Sequence, residues 1–266
     1  MFFALRRACS TPLGWLASAA GPVFDVKDLC YSYNGQISAL DHINVTVYPG
    51  EKLAILGSNG SGKSTLLKIL DGLYFPSSGT VKAFGQTLSE LALRDDRFNF
   101  EFRSRVGFVF QDSDAQLFMP SVWDEIAFGP LQLGIDQSEV AARVEAALLA
   151  LQIEKLRDRP PHQLSGGEKK RVALASVLSL SPEIWLLDEP SAGLDPRSAD
   201  WLEDFLNTQG RAGKTVVLST HDLAFVEATA DRMYVLDEYH QIIAEGTPQK
   251  ILSDHSLLIK ANLVRK

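Results

Sequence analysis

The stretch that most constrains this chain is Gly57-Ser58-Asn59-Gly60-Ser61-Gly62-Lys63-Ser64, a match to G-x-x-x-x-G-K-[ST]. It follows the apolar run Lys52-Leu53-Ala54-Ile55-Leu56, which reads as a buried strand. It opens a helix predicted from Lys63 to about Asp71. Glycines there let backbone N–H groups converge on phosphate oxygens, which a Cβ would obstruct. The helix N-terminus adds positive potential. In that setting Lys63 reaches the β- and γ-phosphates of a nucleoside triphosphate, and the Ser64 hydroxyl is placed to ligate Mg2+. The motif alone does not separate a kinase from a GTPase or an ATPase.

A second site follows from Ile184-Trp185-Leu186-Leu187-Asp188-Glu189-Pro190, an apolar strand ending in two carboxylates. Strand carboxyl ends carry the ligands of open α/β sheets. Asp188 is placed to hold the Mg2+ shell through water, and Glu189 to polarise an attacking water. Two carboxylates at a strand tip also suit a solvated turn, but the phosphate loop in the same chain favours catalysis.

The rest of the chain is organised around these two strands. Phe24–Leu29 and Ile43–Tyr48 alternate apolar and polar residues, as half-buried strands do. Thr80–Phe84 and Val106–Phe110 read as further strands. Residues 112–180 are mostly helical in pattern, with Val140, Val144, Ala147, Leu148 and Leu151 at helix spacing, and suggest an inserted helical lobe. Glu183–Asp188 and Thr215–Ser219 read as central parallel strands. Val235–Asp237 with Ile242–Glu245 reads as a hairpin, and the tail from Pro248 as helical.

Leu164-Ser165-Gly166-Gly167-Glu168 opens another helix. Ser165 and Glu168 have the spacing of a capping box. Capping does not explain two glycines in a first helical turn, where they weaken the helix relative to alanine. They permit an anionic group to approach the backbone closely.

Together SNGSGKST, Gln111, LSGGE, WLLDEP, SAGLD and STHD, in this order and spacing, resemble the nucleotide-binding subunits of ABC transporters over residues 23–266. The resemblance implies an α/β fold: a P-loop NTPase core with an antiparallel β subdomain and an inserted helical subdomain. It implies ATP and Mg2+ as ligands, with Thr65 completing the phosphate loop. It further implies a dimer, of identical or related chains, in which each ATP lies between the phosphate loop of one chain and Ser165–Glu168 of the other. On the same ground Tyr33 stacks on adenine, and Gln111 links Mg2+ and the attacking water to the transport partner. Asp195 signals across the dimer, and His221 contacts the γ-phosphate and fixes the geometry around Glu189. Tyr33 is preferred to Tyr31 by its offset from Lys63, Tyr31 being expected on the other side of the strand. His42, His162, His240 and His255 have no partners by spacing and are expected at the surface. Glu168 departs from the Gln found in many members of the family.

Residues 107–131, with GGEKKRVALASVLSLSPEIWLLDEPSAGLDP, resemble the ATPases of energy-coupling-factor importers, especially the cobalt/nickel branch. That resemblance implies two membrane partners, a coupling protein and a small substrate-capture protein. It places the chain on the cytoplasmic face of the membrane, with Phe118, Met119 and Pro120 in the docking groove. A soluble ABC ATPase, such as an iron–sulfur assembly factor, is the alternative. The balance of 33 acidic against 26 basic side chains, a net charge of −7, argues against nucleic acid as a partner. Two cysteines, Cys9 and Cys30, are too few for a disulfide scaffold. Residues 1–22 carry Arg6 and Arg7 and no acid, which leaves three readings: a disordered extension, an over-early start codon or a cleaved organelle-targeting segment.

Overall fold

The computed structural model describes residues 21–265, so the extension reading of 1–22 lies almost wholly outside the described residues. Strands β1 (Phe24–Tyr33) and β2 (Ile37–Val47) pair antiparallel through a turn at Asn34-Gly35, both at positive φ. Strand β3 (Lys52–Gly57) leads through the glycine-rich loop into α1 (Lys63–Leu70). Strands β4 (Ser78–Ala83) and β5 (Gln86–Thr87) complete a four-stranded antiparallel sheet in the order β2-β1-β4-β5. Two short helices, α2 (Glu90–Leu93) and α3 (Asp96–Arg105), return the chain to β6 (Val106–Val109).

A helical lobe follows, built from α4 (Val122–Gln132), α5 (Gln137–Ala150) and α6 (Gly166–Leu178). Pro130 sits inside α4 and cannot donate to the carbonyl of Ile126. The buried Ser179 hydroxyl donates to that carbonyl instead, at 2.8 Å, so the proline defect ties α4 to the end of α6. The chain then alternates β7 (Ile184–Asp188), α7 (Pro196–Arg211), β8 (Thr215–Thr220) and α8 (Leu223–Thr229). It closes with the hairpin β9 (Arg232–Leu236) and β10 (Ile242–Gly246), then α9 (Pro248–Leu252) and α10 (His255–Lys260).

The core sheet has the order β10-β9-β3-β8-β7-β6 and is parallel from β9 to β6. Both of its faces are covered, which is why its strands read as unbroken apolar runs. Trp185, Leu187, Val216 and Leu218 pack toward the helical lobe and α7. Their strand neighbours Ile184, Leu186 and Val217 pack toward the antiparallel sheet and α1. Alternate residues thus serve two separate cores, and truncation of one such buried leucine to alanine costs about 2–5 kcal/mol.

This topology positions the site. Four neighbouring parallel strands, β3, β8, β7 and β6, end on the same edge. Just past those ends lie the phosphate loop, His221, Asp188-Glu189 and Gln111.

Candidate nucleotide site

Gly62 makes the turn from the loop into α1. Its φ is 107°, and a Cβ there would fall 2.2 Å from the carbonyl oxygen of Ala39. Only glycine allows both the left-handed backbone and this approach of β2. No side chain caps α1, so its first N–H groups are left to whatever occupies the loop.

Lys63 is buried beneath that loop. Its Nζ donates to the carbonyls of Gly57 and Ser58 at 2.9 and 3.1 Å. It also lies 3.1 Å from Glu189 Oε1. That oxygen receives no directed hydrogen bond, so the contact is an ion pair between two buried charges. The other Glu189 oxygen lies 3.0 Å from His221 Nδ1. Glu189 holds this pose with φ at 43°, an unusual conformation for a residue with a Cβ.

Asp188 is fixed by two hydroxyls, Ser64 Oγ at 2.7 Å and Ser219 Oγ at 2.6 Å, both donating to Oδ1. Ser219 also accepts the Glu189 N–H at 3.0 Å. One fully buried serine therefore sets both carboxylates. Sequence reasoning passed over Ser219. Its signal was its place one strand over from Asp188, a register pairing the sequence does not display.

A cavity of about 400 Å³ opens above this cluster. Tyr33, Lys63, Ser64, Thr65, Gln111 and Glu189 all line it, with Asn59, Gly60 and Gly62 of the loop. Gly57 and Ser58 do not line it but hold Lys63 through their carbonyls, and Ser61 is buried. Tyr33 is half-buried, and its hydroxyl is hydrogen-bonded to Thr65 Oγ1 at 2.8 Å. Tyr31 does not face the other side of the strand. The two rings meet edge to face at 5.1 Å, because residues two apart on a strand share a face. Tyr31 stacks on Tyr74, at 5.5 Å between ring centroids, and so buttresses Tyr33.

The Ser165 segment is elsewhere. Ser165, Gly167, Glu168 and Asp195 line a second cavity, of about 570 Å³, with Arg171 and Ser198. Gly166 is exposed beside it. The two cavities share no lining residue. The capping box is formed: Glu168 accepts the Ser165 N–H and hydroxyl, both at 2.8 Å, and these bonds lower its pKa. Its carboxylate is thus turned back onto its own helix start. Asp195 caps α7 and accepts from the Ser198 N–H and hydroxyl, which lower its pKa in turn.

Sequence reasoning also missed how Gln111 is held. Buried Lys170 of α6 donates to the Gln111 carbonyl at 3.0 Å, and burial pushes its pKa down. Gln116 bridges the Phe110 N–H to Ala173 and Ser176 of the same helix. Glu125 accepts the N–H groups of Phe118 and Met119, both at 2.8 Å. Phe118 itself is 64% exposed and meets Phe128 edge to face at 5.1 Å. Among the histidines, His240 lies 3.2 Å from the Ser61 carbonyl and His42 is paired with Asp28, so neither lacks a partner. Sequence spacing hid both, since the partners come from other strands and loops.

A phosphate loop at the tip of a parallel strand, with adjacent acidic and histidine-bearing tips, defines a P-loop nucleotide-binding cassette. The ABC transporter family pattern matches residues 40–192. The chain is 47% identical to the nickel import ATP-binding protein NikO of Rhodobacter capsulatus, over 91% of this chain and 96% of that one. It is 45% identical to the cobalt import ATP-binding protein CbiO of the same organism, covering 91% and 85%. Its fold superposes with a TM-score of 0.78 on cbiO1 of Clostridium perfringens, part of the ABC transporter complex cbiONQ, at 36% identity over 92% and 96% of the two chains. A second similar structure, at TM-score 0.75, 28% identity and 85% and 98% coverage, is the cassette MJ0796 as a dimer bound to ADP and Pi. This chain belongs to the ABC transporter family and is an ATP-binding ATPase of that family.

Proposed function

We propose that this chain is the energy-coupling ATPase of a cobalt or nickel importer and works as a pair of cassettes with two ATP molecules between them. The observation that carries the pairing is the separation of two half-sites. The phosphate loop and the Ser165 segment line different cavities, and one chain holds both. A second copy facing the first supplies the missing half to each phosphate loop. Gly166 supports this: a Cβ there would meet nothing within 4 Å, so the chain's own packing does not require glycine. A phosphate brought up on another chain does. Asp195, beside Ser165 in the same cavity, then lies at the contact and carries the signal between cassettes.

Within one site, the loop from Gly57 to Thr65 holds the triphosphate and Tyr33 offers its ring to adenine. Ser64, Asp188 and Gln111 present hard oxygen donors of the kind Mg2+ takes, few enough to leave positions for water and phosphate. The ion, when bound, neutralises charge on the phosphate oxygens. Lys63 Nζ lies 3.1 Å from Glu189 Oε1. Phosphate draws Lys63 away and leaves Glu189 to take a proton from the attacking water. As that water oxygen bonds to the γ-phosphorus, the bond from γ-phosphorus to the bridging oxygen breaks and ADP departs. His221 holds the carboxylate in line through its second oxygen.

The Gln111–Pro120 stretch carries the motion outward. It is tied to α6 through Lys170 and Gln116 and presents Phe118 to solvent. We assign it to docking with cytoplasmic helices of a membrane coupling protein, which works beside a small substrate-capture protein. The chain would then sit at the cytoplasmic face of the membrane. Among the described residues no helix is long and apolar enough to cross one. The test is capture of ATP-loaded Glu189→Gln from detergent-solubilised membranes, with mass spectrometry of what accompanies it. A multi-span protein and a small membrane protein support the assignment. Soluble partners alone would overturn it and leave the ATPase chemistry standing.

A further inference from the structure

The antiparallel sheet carries register slips that the nucleotide site does not explain. Between Val26 and Leu29 of β1 the register to β2 slips, and it slips again between Leu29 and Tyr31. The first places Lys27 and Asp28 opposite Asn44, and the second places Asp41 and His42 opposite Cys30. Such bulges re-aim side chains. Asp28 and His42 both sit at positive φ, 50° and 52°, which residues with a Cβ seldom adopt.

The result is a cluster. One donor atom each of Cys30, Asp41 and His42 lies within 4.8 Å of the other two. His42 Nδ1 is 2.5 Å from Asp28 Oδ1. Its Nε2 is 3.8 Å from Asp41 Oδ1, too far for a hydrogen bond. The other Asp41 oxygen is held by the Gln241 amide at 2.6 Å. Cys30 Sγ accepts the His42 backbone N–H at 3.4 Å.

We propose that Cys30, Asp41 and His42 form a binding site for a divalent transition metal of the zinc, cobalt and nickel class. Thiolate, imidazole and carboxylate together suit these ions and not Mg2+ or Ca2+. Metal–ligand bonds of about 2.0–2.3 Å put tetrahedral ligands about 3.5 Å apart, a modest closure for the exposed His42 side chain. Asp28 supplies what a ligating histidine usually has: a carboxylate on its other nitrogen that fixes the tautomer and directs Nε2. The Gln241 bond likewise aims the free Asp41 oxygen at the centre. A water completes the fourth position. The site is distinct from the nucleotide pocket but close to it, since Ala39, two residues before Asp41, packs on Gly62.

The test is titration of the reduced, metal-stripped full chain with Co2+ alone. A sulfur-to-cobalt charge-transfer band, with visible bands of tetrahedral cobalt, is expected at one equivalent. It should persist in Cys9→Ser, vanish in Cys30→Ser and be displaced by Zn2+. Affinity should fall at least about tenfold in His42→Asn, a residue that tolerates the left-handed backbone. Asp28→Asn should weaken it about 10–100-fold. The hard oxygen donors at Ser64 and Asp188 cannot give the sulfur band. No such band in the wild-type chain, or one that survives Cys30→Ser, would overturn the site.

Discussion

The two half-sites use glycine for opposite reasons. In the phosphate loop the fold itself demands it: a Cβ on Gly62 would collide with the Ala39 carbonyl, and the backbone is left-handed. In the Ser165 segment nothing in the chain demands it, since a Cβ on Gly166 would stand in open space. The first half is buried and braced, with Lys63, Asp188 and Glu189 held in one network. The second is exposed, and its polar groups are bonded to their own helix starts. The braced region needs its glycine for the chain's own fold. The exposed region keeps helix-weakening glycines without internal cause, which supports the proposed pairing with another chain.

The largest expected effect tests the braced half. Glu189→Gln should cut steady-state ATP turnover by about 10²-fold or more while ATP binding persists, read by nucleotide trapping beside a phosphate-release assay. A wild-type rate would break the assignment. Lys63→Ala should instead weaken ATP binding itself, measured by equilibrium titration. The glycines then sharpen the contrast. Gly62→Ala should lower stability by several kcal/mol, on the order of a strained backbone plus a backbone clash, seen as an early denaturation midpoint. Gly166→Ala should leave the melting temperature level or slightly raised and still depress turnover. If both glycine variants unfold early, the comparison fails. Ser219→Ala should cost about 1–3 kcal/mol, because it removes one bond to Asp188 and one acceptor for the Glu189 N–H.

The smallest effect on ATP chemistry comes from Asp71, the residue that ends α1. Burial raises its pKa to about 6, against the partial compensation of Arg103 at 3.0 Å. Between about pH 4 and 6 the folded chain keeps a proton that the unfolded chain has released. Its contribution to stability is therefore full below that window and is lost as pH rises through it. Relative to the wild-type chain, Asp71→Asn should gain melting temperature as pH rises across that range and leave turnover alone.

Much of this was legible in the sequence because it is local. The phosphate loop, the capping box at Ser165 and the strand ending in Asp188-Glu189 are each contiguous, and their residue types state their geometry. The alternation that splits Trp185 and Leu187 from Ile184 and Leu186 is equally local. What escaped was set by strand order and register. Ser219 braces Asp188 only because β8 lies beside β7. Lys170 reaches Gln111 across about sixty residues of chain. The bulges that bring Cys30 to His42 depend on pairings that no pattern in either strand announces.

In the proposed pairing, ATP joins two copies of the chain through these two unlike halves. Sedimentation of purified Glu189→Gln with and without ATP tests it most directly. A 29.2 kDa monomer should become a species of twice that mass only with ATP, and should stay monomeric when Gly166→Val is added. A monomer at saturating ATP, or a dimer indifferent both to ATP and to Gly166, would contradict it.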